Sequence, residues 1–426
     1  MTGDKMRFKS VVFDLDGTIS ESGEGIARSA EYAFERMGLP SPGEDILKKF
    51  VGPPLLDSFM EFGNMNRADA EKAVAFYRER HAVTGWKETK IYKGIFELLY
   101  SLKKCGVYTA IASSKSISVC KRTLEYFGLL SFFDFIAAPE DGALTSDKRT
   151  HILDALKGNI DGACMVGDRK FDIIGAKQAG VYAIGVGYGY GSSEELTAAG
   201  ADEVCKNVEN LRNALLGDTP KARGRFISFE GSDGCGKSTQ HRLLKEHLEK
   251  CGIEVISTRE PGGCPISERI REVLLDVKSL GMTDECEALL FAAARAQHVN
   301  DTILPALNEG KIVLCDRFVD SSIAYQGAGR NLGDWVRQIN ERAVKNCLPD
   351  MTLVFDISPE EAIKRRLNAT AADRIELSKD DFRRRVYESF ISMCASDKRF
   401  KRIDASGSIE QIACTVRQTV LNELTK

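Results

Sequence analysis

Apolar runs of strand length alternate with longer helix-type segments along this chain, in two separate series. The first series is SVVFDL, YTAIASS, ACMVGD and YAIGVG. The second starts after Arg225 with RFISFEG and continues through EVISTRE, KIVLCDR and MTLVFDI. Runs that are apolar at nearly every position suit strands covered on both faces. Strand and helix in alternation lead to open parallel sheets with helices on each side. The chain has 426 residues, and single cores stop growing near ~250–300 residues. The expected fold is therefore α/β, with two doubly wound parallel-sheet domains. The boundaries read as 1–218 and 225–426, with 219–224 as the linker. That linker falls in LLGDTPKARGR, which is rich in Gly, Pro and charge and lacks apolar periodicity. From about 21 to 90 the first series is interrupted just after its first strand. GIARSAEYAFERMG and RADAEKAVAFYRERHAVTG have helix spacing, so this stretch reads as an inserted helical cap.

Charge and composition remove several classes of partner. The formal net charge is −3, so nothing argues for a broad nucleic-acid or anionic-membrane surface, and the expected partners are small-molecule substrates. No apolar run reaches the ~18–20 residues of a membrane span. The opening MTGDKMRFKS lacks the apolar stretch of a signal peptide. The twelve cysteines are scattered without a CxxC pair, and the five histidines show no metal-ligand spacing. Reduced thiols in a cytoplasmic protein are the expectation.

In the second series, FEGSDGCGKSTQ fits G-x-x-x-x-G-K-[ST] between a strand and a helix. Glycines let backbone N–H groups turn inward toward phosphate oxygens, and the helix that follows presents its positive end. The nucleotide cradle is Gly231, Ser232, Asp233, Gly234, Cys235, Gly236, Lys237, Ser238 and Thr239. Lys237 is placed to neutralise the β- and γ-phosphates of ATP, and Ser238 to ligate Mg²⁺.

The first series carries acidic residues at strand ends. Asp14 and Asp16 follow the first strand, two apart, so both can face one crevice. Gly17 permits a tight turn there and Thr18 can hold it. Asp168 and Asp172 follow another strand in MVGDRKFDIIGA. Carboxylates gathered in this way form a hard-oxygen site suited to Mg²⁺. Ser113 ends a third strand and offers a hydrogen bond. Lys148 follows a fourth apolar stretch and supplies a fixed charge, with its neighbour Arg149 as the alternative.

FDLDGT, TAIASSK, TSDKRTHIL and GDRKFD, in this order, resemble the haloacid dehalogenase superfamily over roughly residues 7 to 216. FVGPPLLDSF, YKGIFELL and GVGYGYGSSEEL look like its helically capped phosphoglycolate phosphatase-like and 5′-nucleotidase-like branch. The resemblance implies a Rossmann-like core and hydrolysis of a small phosphomonoester through an aspartyl-phosphate on Asp14. Asp16 would protonate the leaving oxygen and then activate water. Mg²⁺ would be held by Asp14, the backbone carbonyl of Asp16, and Asp168, with Asp172 in support. Ser113 and Lys148 would hold the phosphoryl oxygens.

TREPGG, LLFAAARAQH and VLCDRFVDSSIAYQGAGR together resemble thymidylate kinase over about 225 to 426. That implies a P-loop nucleoside monophosphate kinase acting on dTMP, with a homodimer through this half. Arg259 and Arg317 would fork onto the acceptor 5′-phosphate, with Arg271 lining its pocket. Phe291 would stack on thymine, and Arg295, one helical turn later, would bond a base carbonyl. Ser322 and Gln326 would meet the base edge or sugar. Tyr325 would exclude a ribose 2′-hydroxyl. Asp233 would lie near the acceptor sugar and phosphate, and Asp316 would hold Mg²⁺. Some members carry an arginine in the phosphate loop where this chain has Gly234. Others use an arginine-rich lid, here expected near KRRLNATAADRIE, with Arg374 as the lid arginine and Arg366 next. Another pyrimidine monophosphate as acceptor, or a non-catalytic role for one half, are the rival readings.

Overall fold

The computed structural model describes residues 6–143, 147–217, 219–220, 222–366 and 380–425. They divide into two compact units, one of Met1–Pro220 with Lys250–Gly252 and one of Lys221–Glu249 and Ile253–Leu424.

The first unit holds eight strands: β1 (Ser10–Phe13), β2 (Ser20–Glu21), β3 (Lys90–Ile91), β4 (Tyr108–Ala112), β5 (Phe135–Ala137), β6 (Ala163–Gly167), β7 (Tyr182–Val186) and β8 (Glu203–Cys205). Six of them form a parallel sheet in the order β5-β4-β1-β6-β7-β8. Phe13 of β1 stands level with Ile111 of β4 and Val166 of β6. Residues just beyond these three strands therefore gather at one edge. Val12, Ala110, Met165 and Ala183, all fully buried, pack against Ile152 and Ile173 from the flanking helices. β2 and β3 form a short antiparallel pair, and the helical segment lies between them. Its helices Gly23–Arg36, Leu55–Glu61 and Arg67–Val83 close on their own apolar centre. There Phe50 packs edge to face on Phe34 and Phe59, on the latter at 4.9 Å between ring centroids, while Phe34 and Phe59 meet at a tilt. Asn66 caps the last of these helices by accepting from the Asp69 N–H at 3.0 Å.

The second unit contains β9 (Phe226–Glu230), β10 (Val255–Arg259), β11 (Ile312–Asp316), β12 (Met351–Asp356) and β13 (Phe400–Asp404) in one parallel sheet, ordered β10-β11-β9-β12-β13. β9 lies between β11 and β12, with Phe229 level with Asp316. The phosphate loop after β9 thus comes out beside the Asp316–Arg317 turn after β11. The helix Lys237–Lys250 follows the loop directly.

All eight apolar runs of the sequence form strands. β2, β3, β5, β8 and β13 were not read from sequence. β2 and β3 form a separate pair, and β5, β8 and β13 are edge strands, with only Phe400 and Ile403 buried in the FKRID of β13. β2, β3, β5 and β8 are only two or three residues long, too short to show a period, and β13 mixes charge into its apolar pattern. All twelve cysteines are free. Among the described residues no helix is long and apolar enough to cross a membrane.

Candidate active sites

At the sheet edge of the first unit, Asp14, Asp168 and Asp172 bring carboxylate oxygens within 4.8 Å of one another. All three are buried. Lys148 Nζ lies 2.7 Å from both Asp14 Oδ1 and Asp172 Oδ1 and donates to the Ala112 carbonyl at 3.0 Å. Lys148 is thus the interior charge, while the neighbouring Arg149 turns outward to the Gln178 carbonyl. One ammonium does not balance three carboxylates. Burial first, and then Asp172 working against Lys148, push Asp14 up to about 7. Burial and its two acidic neighbours hold Asp168 well above the carboxylate range. In Lys148, burial opposes the charge but Asp14 and Asp172 more than offset it, so its pKa is raised.

The donor set is hard oxygen, crowded and under-compensated, which fits a divalent cation such as Mg²⁺. The backbone keeps room for it. At Gly17, where φ is +88°, an added Cβ would stand 2.1 Å from Asp168 Oδ2. The Tyr190 N–H fixes the same oxygen at 2.8 Å, and Arg169 N–H fixes Asp172 Oδ2 at 3.0 Å.

Asp16 was read as a metal ligand through its backbone carbonyl, and its carboxylate is engaged elsewhere. Its Oδ1 accepts from Lys115 Nζ at 2.8 Å, leaving only a backbone ligand role open to it. Burial pushes Asp16 up, but Lys115 more than offsets this and holds it below the usual range. Ser113 is buried, lines the cleft and accepts from the Lys115 N–H at 3.2 Å. Sequence reasoning passed over Lys115, although it lies inside the quoted TAIASSK. It also passed over His81, contributed by the cap helix Arg67–Val83. Both line this cleft of about 290 Å³ with Asp14 and Asp16.

In the second unit, Lys237 Nζ is folded back onto its own loop, 2.9 Å from the Gly231 carbonyl and 2.8 Å from that of Ser232. Ser238 Oγ donates to Asp316 Oδ2 at 2.9 Å. This pairs two hard-oxygen groups beside the phosphate cradle, a set that also fits Mg²⁺. Arg317 follows at φ +70°. Its guanidinium reaches Asp233 Oδ1 at 2.5 Å, Ser321 Oγ at 3.1 Å and the Gly231 carbonyl at 3.2 Å. Tyr325 OH donates to the other Asp233 oxygen at 3.2 Å. A cleft of about 190 Å³ is lined by Asp233, Arg259, Arg271, Phe291, Arg317, Tyr325 and Gln326. The structure thus gathers most of the residues read as an acceptor pocket. Arg259 is half exposed and pairs with Glu268 at 3.0 Å. Arg271 donates to the Pro261 carbonyl at 2.7 Å.

Arg295 and Ser322 are placed differently from their reading. Neither is among the cleft-lining residues, and each is 1% exposed. Arg295 bonds Glu260 Oε2 at 2.7 Å, Asn340 Oδ1, the Phe318 carbonyl at 3.2 Å and Ser322 Oγ at 3.1 Å. A buried guanidinium needs such partners, and these take most of its donors. The adjacent Ser321 lines the cleft instead. Arg374 lies outside the described residues, as does the side chain of Arg366.

A second buried acid supports this wall. Glu230 accepts from the Phe318 N–H at 2.7 Å and Ser321 Oγ at 2.5 Å. Burial, then the charge of Asp320, push it up to about 8.

Comparison with known proteins separates along the same lines. Residues 229–416 match the thymidylate kinase family, and residues 11–186 match the haloacid dehalogenase-like hydrolases. A thymidylate kinase of Finegoldia magna is 50% identical over 188 residues, covering 44% of this chain and 93% of that protein. One from Symbiobacterium thermophilum is 50% identical over 197 residues, covering 46% of this chain and 92% of its own length. A solved structure described as a predicted phosphatase from Clostridium acetobutylicum is 40% identical. It covers 49% of this chain and 98% of that one, with a TM-score of 0.47. The chain belongs to the thymidylate kinase family through its second half, and residues 11–186 of its first half match the haloacid dehalogenase-like hydrolases.

Proposed function

We propose that the second half transfers the γ-phosphoryl group of ATP to dTMP, giving ADP and dTDP, and that the first half hydrolyses a small phosphomonoester through Asp14. The kinase reading is carried by Arg317, which joins the phosphate loop at Gly231 and Asp233 to the wall of the acceptor cleft. Lys237 would exchange its two loop carbonyls for phosphate oxygens. Arg317 and Arg259 would hold the acceptor phosphate so that its oxygen attacks the γ-phosphorus in line. Tyr325, fixed by Asp233, would press on the sugar. Arg374 is proposed as the lid arginine.

In the first half, the Asp14 carboxylate attacks phosphorus and the ester P–O bond breaks as Asp16 gives its proton to the leaving oxygen. Asp16 then takes a proton from water, which attacks the aspartyl-phosphate, frees inorganic phosphate and restores Asp14. Lys115 favours the ionised Asp16 needed in that second step. Lys148 and Ser113 hold the phosphoryl oxygens. Mg²⁺, when bound, neutralises phosphoryl charge at both sites.

A panel of dTMP, dUMP, dCMP and UMP with ATP tests the kinase reading. We expect dTMP to lead by at least about tenfold in kcat/KM, on the order of one good base contact. Turnover of dCMP or UMP at the dTMP rate would overturn it. The phosphatase half is tested by phosphate release from a phosphomonoester panel, using the full chain with Lys237→Ala. Because opposed activities on one substrate would waste ATP, the panel includes dTMP, and we expect it to be a poor substrate.

A further inference from the structure

The cap helix Arg67–Val83 presents one histidine to the phosphatase cleft. His81 is 5% exposed and lines that cleft with Asp16 and Lys115. Its ring stacks on Tyr77, one turn earlier, with centroids 5.2 Å apart and planes at 16°, so its orientation is set by packing. The Nδ1 edge is filled. Ser29 Oγ lies 3.5 Å away, and an added Cβ at Gly85 would stand 2.5 Å from Nδ1. Nε2 is buried and has no hydrogen-bond partner. Such orphans are rare in folded proteins and need an explanation. One that borders a ligand cleft points to a ligand atom.

The surrounding bonds say which kind of atom. The single proton of the Ser29 hydroxyl goes to the Gly25 carbonyl at 2.7 Å, and Arg80 donates to Ser29 Oγ at 3.1 Å. Ser29 therefore faces His81 as an acceptor, and Nδ1 carries the imidazole proton. Burial and the nearby Lys115 charge push His81 down to about 3, so the ring stays neutral. A neutral ring protonated on Nδ1 offers only a lone pair at Nε2.

We propose that Nε2 of His81 accepts a hydrogen bond from a hydroxyl on the alcohol part of the substrate. The first half would then favour polyol-type phosphate esters over esters ending in a carboxylate or in bare hydrocarbon. This rests on the phosphatase reading above and narrows its substrate. A carboxylate would set lone pair against lone pair at Nε2. The four cations that line the same cleft are already engaged, Lys115 with Asp16 at 2.8 Å, Lys148 with Asp14 and Asp172 at 2.7 Å, Arg169 with Glu195 at 3.0 Å and Arg78 with the Ala143 carbonyl at 2.6 Å. Phe50, Leu55 and Val74 on the cleft wall offer no side-chain polar group.

The test compares glycerol 1-phosphate, propyl phosphate and 2-carboxyethyl phosphate as substrates of the full chain with Mg²⁺. p-Nitrophenyl phosphate reports whether the chemistry is intact. Glycerol 1-phosphate should lead in kcat/KM by about tenfold or more, the effect of leaving a buried acceptor unpaired. His81→Phe should erase that lead, chiefly through KM, while p-nitrophenyl phosphate turnover persists. His81→Gln, which retains an acceptor, should keep part of it. Equal use of the three esters by the parent chain, or a lead for the carboxylate, would overturn the proposal. So would an equal loss on all of them in both variants. No hydrolysis of any ester, p-nitrophenyl phosphate included, would instead overturn the phosphatase reading, and this one with it.

Discussion

Asp14 is bound on one side by Lys148 and faces Asp168 and Asp172 on the other. Replacing it by Asn removes the nucleophile but keeps the shape. Phosphate release should fall by at least ~10³-fold, as for other nucleophile deletions, with dTMP phosphorylation unchanged in a coupled assay. Glu230 gives a pH prediction. Its pKa rises from 4.5 to about 8 on folding, so the folded chain holds a proton that the unfolded chain has released. The stability it contributes is full below about 4.5 and is lost as pH rises through about 8. Glu230→Gln should therefore gain thermal stability relative to the parent between pH 5 and pH 8, read as a widening Tm difference. A difference that stays constant would count against a protonated Glu230. The legible residues of both sites were those just beyond central strands, since topology alone brings Asp14, Asp168 and Arg317 to a sheet edge. Arg295 and Ser322 lie outside the cleft lining, which helical spacing does not reveal: it tells which residues share a face, and not whether that face is open. His81 was illegible for a related reason: a histidine on a cap helix carries no motif, and its meaning comes from Ser29, more than fifty positions away.

The segment Ile323–Gly329 winds as a π-helix and carries Tyr325 and Gln326 to the acceptor cleft. Wide turns of this kind re-aim side chains and occur often at functional sites. The segment packs on the helix Asp380–Ser396, where an added Cβ at Gly329 would stand 2.5 Å from the Phe382 ring. Arg385 also binds the Gly329 carbonyl at 2.7 Å, so the contact has little freedom to open. Gly329→Ala should cost about 1–3 kcal/mol through overpacking, seen as a lower urea midpoint, together with a raised KM for dTMP. An unchanged KM would separate the segment's position from acceptor binding. Among elements, central strands were legible because both faces are covered. β2, β3, β5 and β8 were not, because two or three residues are too few to show a period, and β13 was not, because its mixed pattern is shared with loops. The π-helical turn has no sequence signature that separates it from an ordinary helix.

Across the whole molecule, each cleft is lined by residues of one compact unit alone. The two chemistries should then be separable by single substitutions. Lys237→Ala should abolish phosphoryl transfer from ATP and leave ester hydrolysis intact, and Asp14→Asn the reverse. Chelation with EDTA should silence both, and Mg²⁺ should restore both. Survival of either activity in EDTA would show that its acidic cluster has another task.

At Arg317 the peptide adopts a left-handed twist, φ +70°, that long side chains rarely accept. Glycine or asparagine would sit there with less strain, but neither bears a cation. Variants selected only for heat resistance should therefore drift toward those two residues and lose phosphate capture as they do. At this one position, robustness and recognition pull in opposite directions.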